Sequence, residues 1–317
     1  MNAAIDIAKL VMAILVVGIH TEPFGFNIWL DRGFGIITRL CVPFFFIASS
    51  YFYWKKEKPL YQYIIRLMTI YIIWSLIYLP FDVSTLKNTS LVNIFLRYFW
   101  HGNEHALWYL CGSMIGMLIT YAAYNVLKRK RKPLIFISVI FLFIGCLLST
   151  YAPLSCKLLS IEDYVVPNLR NGLFYAFPYI TMGLIVAKNE SRLKSISKKK
   201  LLVGFIISLL LLIAESIVFV VVFNTTSTIL WMSVLPCSYF LFLLLKNLDI
   251  RLRNDITLFI RKLSTLIYLC HSLFVLLFDT MHTVPYFFTV MLCSLALSAI
   301  IILLSRMKYF RWLQYLY

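Results

Sequence analysis

The sequence predicts an all-α fold: a polytopic integral membrane protein of about ten transmembrane helices, with both termini cytoplasmic and residues 1–317 forming one transmembrane domain. Three observations predict it. The 317-residue chain is 62% hydrophobic and 17% aromatic, and its apolar runs approach the roughly 20 residues needed to cross a bilayer core. Its basic residues fall in alternate connections. Its first apolar run carries an acid, a base and a histidine that lipid cannot satisfy.

In order, the apolar segments are 3–22, 34–54, 61–81, 106–127, 133–151, 171–187, 201–223, 227–245, 264–280 and 285–305. The first carries charges where a signal peptide is apolar, so it is read as retained. In the second, Pro43 has no N–H and its ring opposes the carbonyl of Arg39, which predicts a kink there. Between the third and fourth lies the aromatic-rich stretch 91–101, expected in the outer interface. Pro178 is expected to break the middle of the sixth.

The 30 lysines and arginines test this map. Connections on one side hold 22 of them, among them the run Lys128–Lys132 and the cluster Lys198–Lys200, whereas the opposite connections hold five. That asymmetry is a positive-inside signal. The net charge of +17 is therefore read as an orientation signal facing anionic membrane lipids; no nucleic-acid partner is expected. The seven cysteines show neither zinc-ligand spacing nor a disulfide framework. His101 and His105 stand at i,i+4, but Gly102 and Asn103 between them weaken a helix, so no metal site is expected.

The informative residues are polar ones at membrane depth, where a charge costs roughly 2.5–3.5 kcal/mol on insertion scales. Asp6, Lys9 and His20 share the first helix. Eleven residues separate Lys9 from His20, about three turns and roughly 16 Å, so both lie on one face. Arg39 sits within about two turns of the outer surface. It reads either as a snorkelling arginine or as a cation facing the outer cavity with His20. Glu215 is a lone carboxyl in the seventh segment, with Lys9, Arg39 and Arg66 as candidate partners; a structural pair and a substrate-facing role both stay open. Arg170 and Asn171 open the sixth segment from outside, Trp108 opens the fourth within an aromatic belt, and His271 in the ninth reads as a satisfied buried histidine.

The chain resembles acyltransferase family 3, the bacterial integral membrane acyltransferases. The resemblance runs from the first helix to the ninth. It rests chiefly on Asp6-x-x-Lys9 followed by ten residues and His20, and on Arg39-Leu-Cys-Val-Pro43-Phe-Phe-Phe-Ile-Ala-Ser49. Weaker echoes are His105-Ala-Leu-Trp108-Tyr109-Leu, Arg170-Asn-Gly-Leu-Phe with Pro178 and Gly183, and Ile267-Tyr268-Leu-Cys-His271. Ser50 stands where the family usually has Gly, and Ser272 where it usually has Pro.

The resemblance implies an O-acetyltransferase of the cell inner (plasma) membrane. Cytoplasmic acyl-CoA, usually acetyl-CoA, is the expected co-substrate, with no permanently bound cofactor. The expected acceptor is a hydroxyl of a cell-surface glycan, an exopolysaccharide or a lipid-linked precursor. On the first helix Lys9 is placed to meet CoA phosphates, with Arg66 assigned beside it. His20 is placed to act as general base. Arg39 is assigned to the oxyanion or the acceptor, and Asp6 to orienting Lys9. Glu215, Arg170, Asn171 and Trp108 are the expected substrate-binding residues. Direct transfer and an acyl-His20 intermediate both fit. The competing reading is a transporter of a polar small molecule or amino acid, in which Lys9, Arg39 and Glu215 line a pathway.

Overall fold

A computed structural model describes residues 2–87, 89–103, 105–161, 164–223, 230–278 and 283–317. All regular structure among them is helical. The α-helices are α1 (Ala3–Thr21), α2 (Ile28–Thr38), α3 (Cys41–Lys56), α4 (Leu60–Lys87), α5 (Leu91–Phe95), α6 (Trp108–Val126) and α7 (Arg131–Leu148). They continue with α8 (Ala152–Leu159), α9 (Phe177–Lys188), α10 (Glu190–Lys194), α11 (Lys198–Ile217), α12 (Val234–Lys246), α13 (Asn254–Phe278) and α14 (Val284–Leu304). Among the described residues, seven helical stretches are long and apolar enough to cross a membrane: 3–21, 28–56, 60–84, 131–148, 198–222, 254–278 and 284–304. Two shorter apolar helices span 172–188 and 234–246, and α6 has 19 residues.

Several boundaries depart from the hydropathy pattern for local reasons. The second segment is two helices. α2 ends at Thr38, Arg39 and Leu40 turn, and α3 starts at Cys41. Pro43 thus lies in the first turn of α3, where a missing N–H costs nothing, and the break falls at Arg39 as predicted. Pro178 does not break its segment. A π-helical turn, Gly172–Ala176, leads into α9, and Pro178 is the second residue of that helix. Pro80 is accommodated inside the 28-residue α4. α13 begins ten residues before the predicted segment, which moves Arg261 and Lys262 from a connection into the helix. Residues 227–229 of the predicted eighth segment lie outside the described residues. The stretch 91–101 is helical, α5 continuing as a π turn, with Leu91 84% exposed on its outer face.

The core is built by α3 against α9, α1 against α13, and α13 against α14. The α3–α9 approach depends on Gly183, where an added Cβ would stand 2.5 Å from the Ile47 carbonyl oxygen and 2.6 Å from the Ser50 Cβ. Ser50 is part of the same contact, since its hydroxyl donates to the Ile180 carbonyl at 2.6 Å. Ser272, in the middle of α13, leaves that helix continuous.

Gly183→Ala forces two backbones apart with no flexible tip to yield. It is expected to cost about 1–3 kcal/mol, as overpacking does, read as a lowered thermal unfolding midpoint in detergent. An unchanged midpoint would show that the α3–α9 contact can relax.

Candidate functional site

The basic connections converge on one cavity of about 1230 Å³. Nine cationic side chains line it, Lys9, Lys55, Arg66, Lys246 and Arg261 among them, against two carboxylates, Glu190 and Asp249. Lys9 enters from α1 and Arg66 from α4, so the two residues assigned to the donor do share a wall. The Lys9 ammonium lies over the Phe52 ring, 5.0 Å from its centroid.

Asp6 does not do what its spacing suggested. Its carboxylate is fully buried and receives both arms of the Arg261 guanidinium, Nε at 3.0 Å and an Nη at 2.7 Å. Arg261 became available because α13 starts early. A planar fork satisfies both carboxylate oxygens, which a single ammonium cannot do. Asp6 therefore ties α1 to α13, and Lys9 remains under its electrostatic influence.

Three aromatic rings pack together in the wall of this cavity. Phe45, Tyr109 and Tyr268 all line it, with centroids 5.9, 5.6 and 5.3 Å apart pairwise. The Tyr268 hydroxyl donates to the Ala106 carbonyl at 2.8 Å. On its other side Tyr268 meets His271 at 6.0 Å, and the His271 ring lies 5.1 Å from that of His20.

His271 is satisfied, as its burial implied: its Nδ1 lies 3.2 Å from the Ile267 carbonyl. A carbonyl only accepts, so Nδ1 carries the proton and Nε2 is the bare nitrogen of the neutral ring. It is also His20's neighbour, which single-residue reasoning missed. The shared signal was present in the sequence: two histidines at corresponding depths of two helices running the same way.

Around His20 stand further basic side chains. Arg170 and His105 lie within electrostatic range of it, and Arg170 and Tyr175 within range of Arg39. Arg39 and His20 thus share Arg170 as a neighbour. Trp108 packs edge-on against Phe46 and Tyr175, at 6.3 and 5.5 Å, and so belongs to the aromatic wall beside Arg39.

Two predicted substrate-binding residues are occupied elsewhere. Glu215 pairs with none of Lys9, Arg39 or Arg66. It accepts from the Tyr151 hydroxyl and from the backbone N–H groups of Met232 and Ser233 at 2.9 and 2.8 Å. It thereby satisfies donors just before α12, where an acid suits the helix dipole. Asn171 is 2% exposed, and its Oδ1 accepts from the N–H groups of Leu173 and Phe174, each at 3.0 Å, as an N-cap.

A second missed residue is Asp82. It is 2% exposed and collects Arg97, Tyr98, Asn103 and His105 at 3.0, 3.0, 2.9 and 2.9 Å. This hub ties Arg97, Tyr98, Asn103 and His105 to α4, and His105 lies within electrostatic range of His20. Its signal was an acid at the end of an apolar run, followed within one connection by Arg97 and His105.

A family model described as an acyltransferase domain matches residues 2–306. Among curated proteins, the chain is 24% identical over 331 residues to an amino-acid racemase of Enterococcus faecalis, covering 95% of this chain and 46% of the relative. A second amino-acid racemase of the same organism is 29% identical over 60% of this chain and 29% of its own length. A serine/alanine racemase of Enterococcus gallinarum is 27% identical over 68% and 33%. The chain thus spans less than half the length of the curated relatives it matches. No solved structure matches it.

Arg261→Ala leaves the buried Asp6 carboxylate uncompensated. It is expected to cost about 3 kcal/mol, the low end for breaking a buried pair because Arg261 is partly exposed. Adding Asp6→Asn should recover part of that loss in a thermal unfolding series. No recovery in the double variant would refute the pairing.

Proposed function

Because the chain belongs to acyltransferase family 3, we propose that it moves an acyl group, acetyl, from cytoplasmic acyl-CoA to a hydroxyl of an envelope glycan or its lipid-linked precursor. About ten spans in the plasma membrane with both termini cytoplasmic complete the reading. The seven long apolar helices, α6 and the two shorter helices together support it, as does the basic asymmetry of the connections. On that orientation the cationic cavity opens to the cytoplasm, and its volume of about 1230 Å³ exceeds the roughly 300–1,000 Å³ of ordinary small-molecule sites.

The observation that carries the proposal is α1 itself. Lys9 faces the cationic cavity, and His20, near the far end of the same helix, meets His271. Tyr268 lines the cavity and meets His271. In the reaction, CoA phosphates take Lys9 and Arg66, and the thioester reaches past the ring layer. His20 removes the proton of the acceptor hydroxyl, and the oxygen attacks the thioester carbonyl. Arg39, with Arg170 beside it, stabilises the negative tetrahedral oxygen. The intermediate collapses by breaking the C–S bond, and the proton on His20 passes to the departing thiolate. His271, its tautomer fixed by Ile267, steadies the His20 ring and its charge. The step balances as ester plus free CoA thiol, with no redox partner.

A second reading has a specific observation behind it: the curated relatives carry amino-acid racemase names. On that reading the bundle carries an amino acid across the membrane without chemistry. Uptake of labelled serine into proteoliposomes with no release of CoA thiol would favour it.

With labelled acetyl-CoA and isolated membranes, His20→Ala is expected to lower transfer by about 10²–10⁴-fold, the usual contribution of a general base. His271→Ala should lower it less. Lys9→Ala should raise the KM for acetyl-CoA and leave kcat largely intact, as loss of uniform binding does. Full transfer by His20→Ala membranes would end the assignment of the base.

A further inference from the structure

One group in the cavity is not used by the transfer chemistry. The Glu190 carboxylate is the meeting point of Lys55 at 3.0 Å, Lys246 at 3.3 Å and Lys194 at 4.0 Å. The Tyr51 hydroxyl adds a bond at 3.0 Å. Three ammonium groups thus share one negative charge. The Tyr51 ring lies beneath two of them, 5.5 Å from Lys55 and 5.7 Å from Lys246, and fixes their positions. The Lys246 side chain is only 4% exposed. An ammonium so far from water needs a resident anion.

Glu190 is a poor match for what surrounds it. A carboxylate offers one charge on two oxygens, whereas a terminal phosphate offers up to two charges on three oxygens. Glu190 is also weakly held by the fold. It opens the five-residue α10 in a connection between longer helices, and its side chain is 22% exposed. Burial opposes its ionisation, but the bonds from Lys55 and Tyr51 and the charge of Lys246 outweigh that and hold its carboxyl below the ordinary range. It is therefore a charged competitor at neutral pH.

We infer that Lys55, Lys194 and Lys246 form a phosphate-binding site, and that Glu190 is its stand-in anion, displaced when a phosphate group enters. The inference rests on the reading that a phosphorylated donor uses this cavity. It goes further in naming a second phosphate subsite, on α3, α10 and α12 and additional to Lys9 and Arg66 in the same cavity, and in giving it a built-in inhibitor. A soluble nucleotide phosphate and a lipid headgroup share the required chemistry.

The test is calorimetric titration of adenosine 3′,5′-bisphosphate into the full chain in phosphatidylcholine nanodiscs. Lys246→Gln is expected to weaken binding roughly tenfold, and Glu190→Gln to tighten it by about three- to tenfold, as removal of a competing charge does. If Lys246→Gln does not fold, Lys55→Gln with Lys194→Gln, on the more exposed side chains, should show the same loss. Weaker or unchanged binding by folded Glu190→Gln overturns the stand-in role, and unchanged binding by the lysine variants overturns the site.

Replacing the lipid with phosphatidylglycerol separates the sources. Competition in wild type that vanishes in Lys246→Gln supports the site with a headgroup as occupant, and indifference to the lipid supports it with a soluble phosphate. Acetyl transfer in the same preparations separates this inference from the one it rests on. Transfer that persists while these substitutions leave bisphosphate binding unaltered overturns the subsite alone. The expected binding changes without any transfer leave the subsite standing and remove the acyltransferase chemistry.

Discussion

The arrangement hangs on the buried pair of Asp6 and Arg261. Both carboxylate oxygens are taken by the one guanidinium, so the two-armed bond sets the axial register of α1 against α13. Both helices then run the same way from that lock, and His20 arrives beside His271. A one-turn slip of about 5.4 Å would separate the histidines and leave the carboxylate bare, so a single interaction at one end of the bundle determines the geometry at the other.

The polar groups divide by what satisfies them. Glu215, Asn171 and Asp82 are spent on the protein, holding backbone N–H groups or side chains of the same fold. Among the described residues, Lys9, Arg66 and His20 are held by no comparable set of hydrogen-bonding neighbours. This follows from the cost of leaving a polar group dry. A buried acid whose lone pairs are filled by N–H groups has little capacity left for a ligand, whereas a cation lining a wet cavity keeps its donors.

The helical class was legible because hydropathy and charge alternation are dictated by the bilayer itself. The kink at Arg39 was legible because proline chemistry is local. Lys9 and Arg66, both assigned to the donor, line one cavity. Asp6 was misread because a neighbour at i,i+3 is visible in sequence and one at position 261 is not. The partners of Glu215 were misplaced because they are the distant Tyr151 hydroxyl and two main-chain amides, and amides carry no sequence signature. His271 was read as satisfied, and its contact with His20 was not foreseen, since contacts between helices appear only once register is fixed.

A cavity inside a bundle of apolar helices raises a problem of insulation. A water-filled route from one face of a bilayer to the other would dissipate the proton gradient that a cell maintains. Phe45, Tyr109 and Tyr268 pack against one another at the point where such a route would form, and the Tyr268 hydroxyl is committed to a main-chain carbonyl. Tyr268 thus stands in a ring layer that lines the cavity and also meets His271. Widening that layer by substituting small residues would be felt first as leakiness of the whole cell membrane, before any change in what the protein makes.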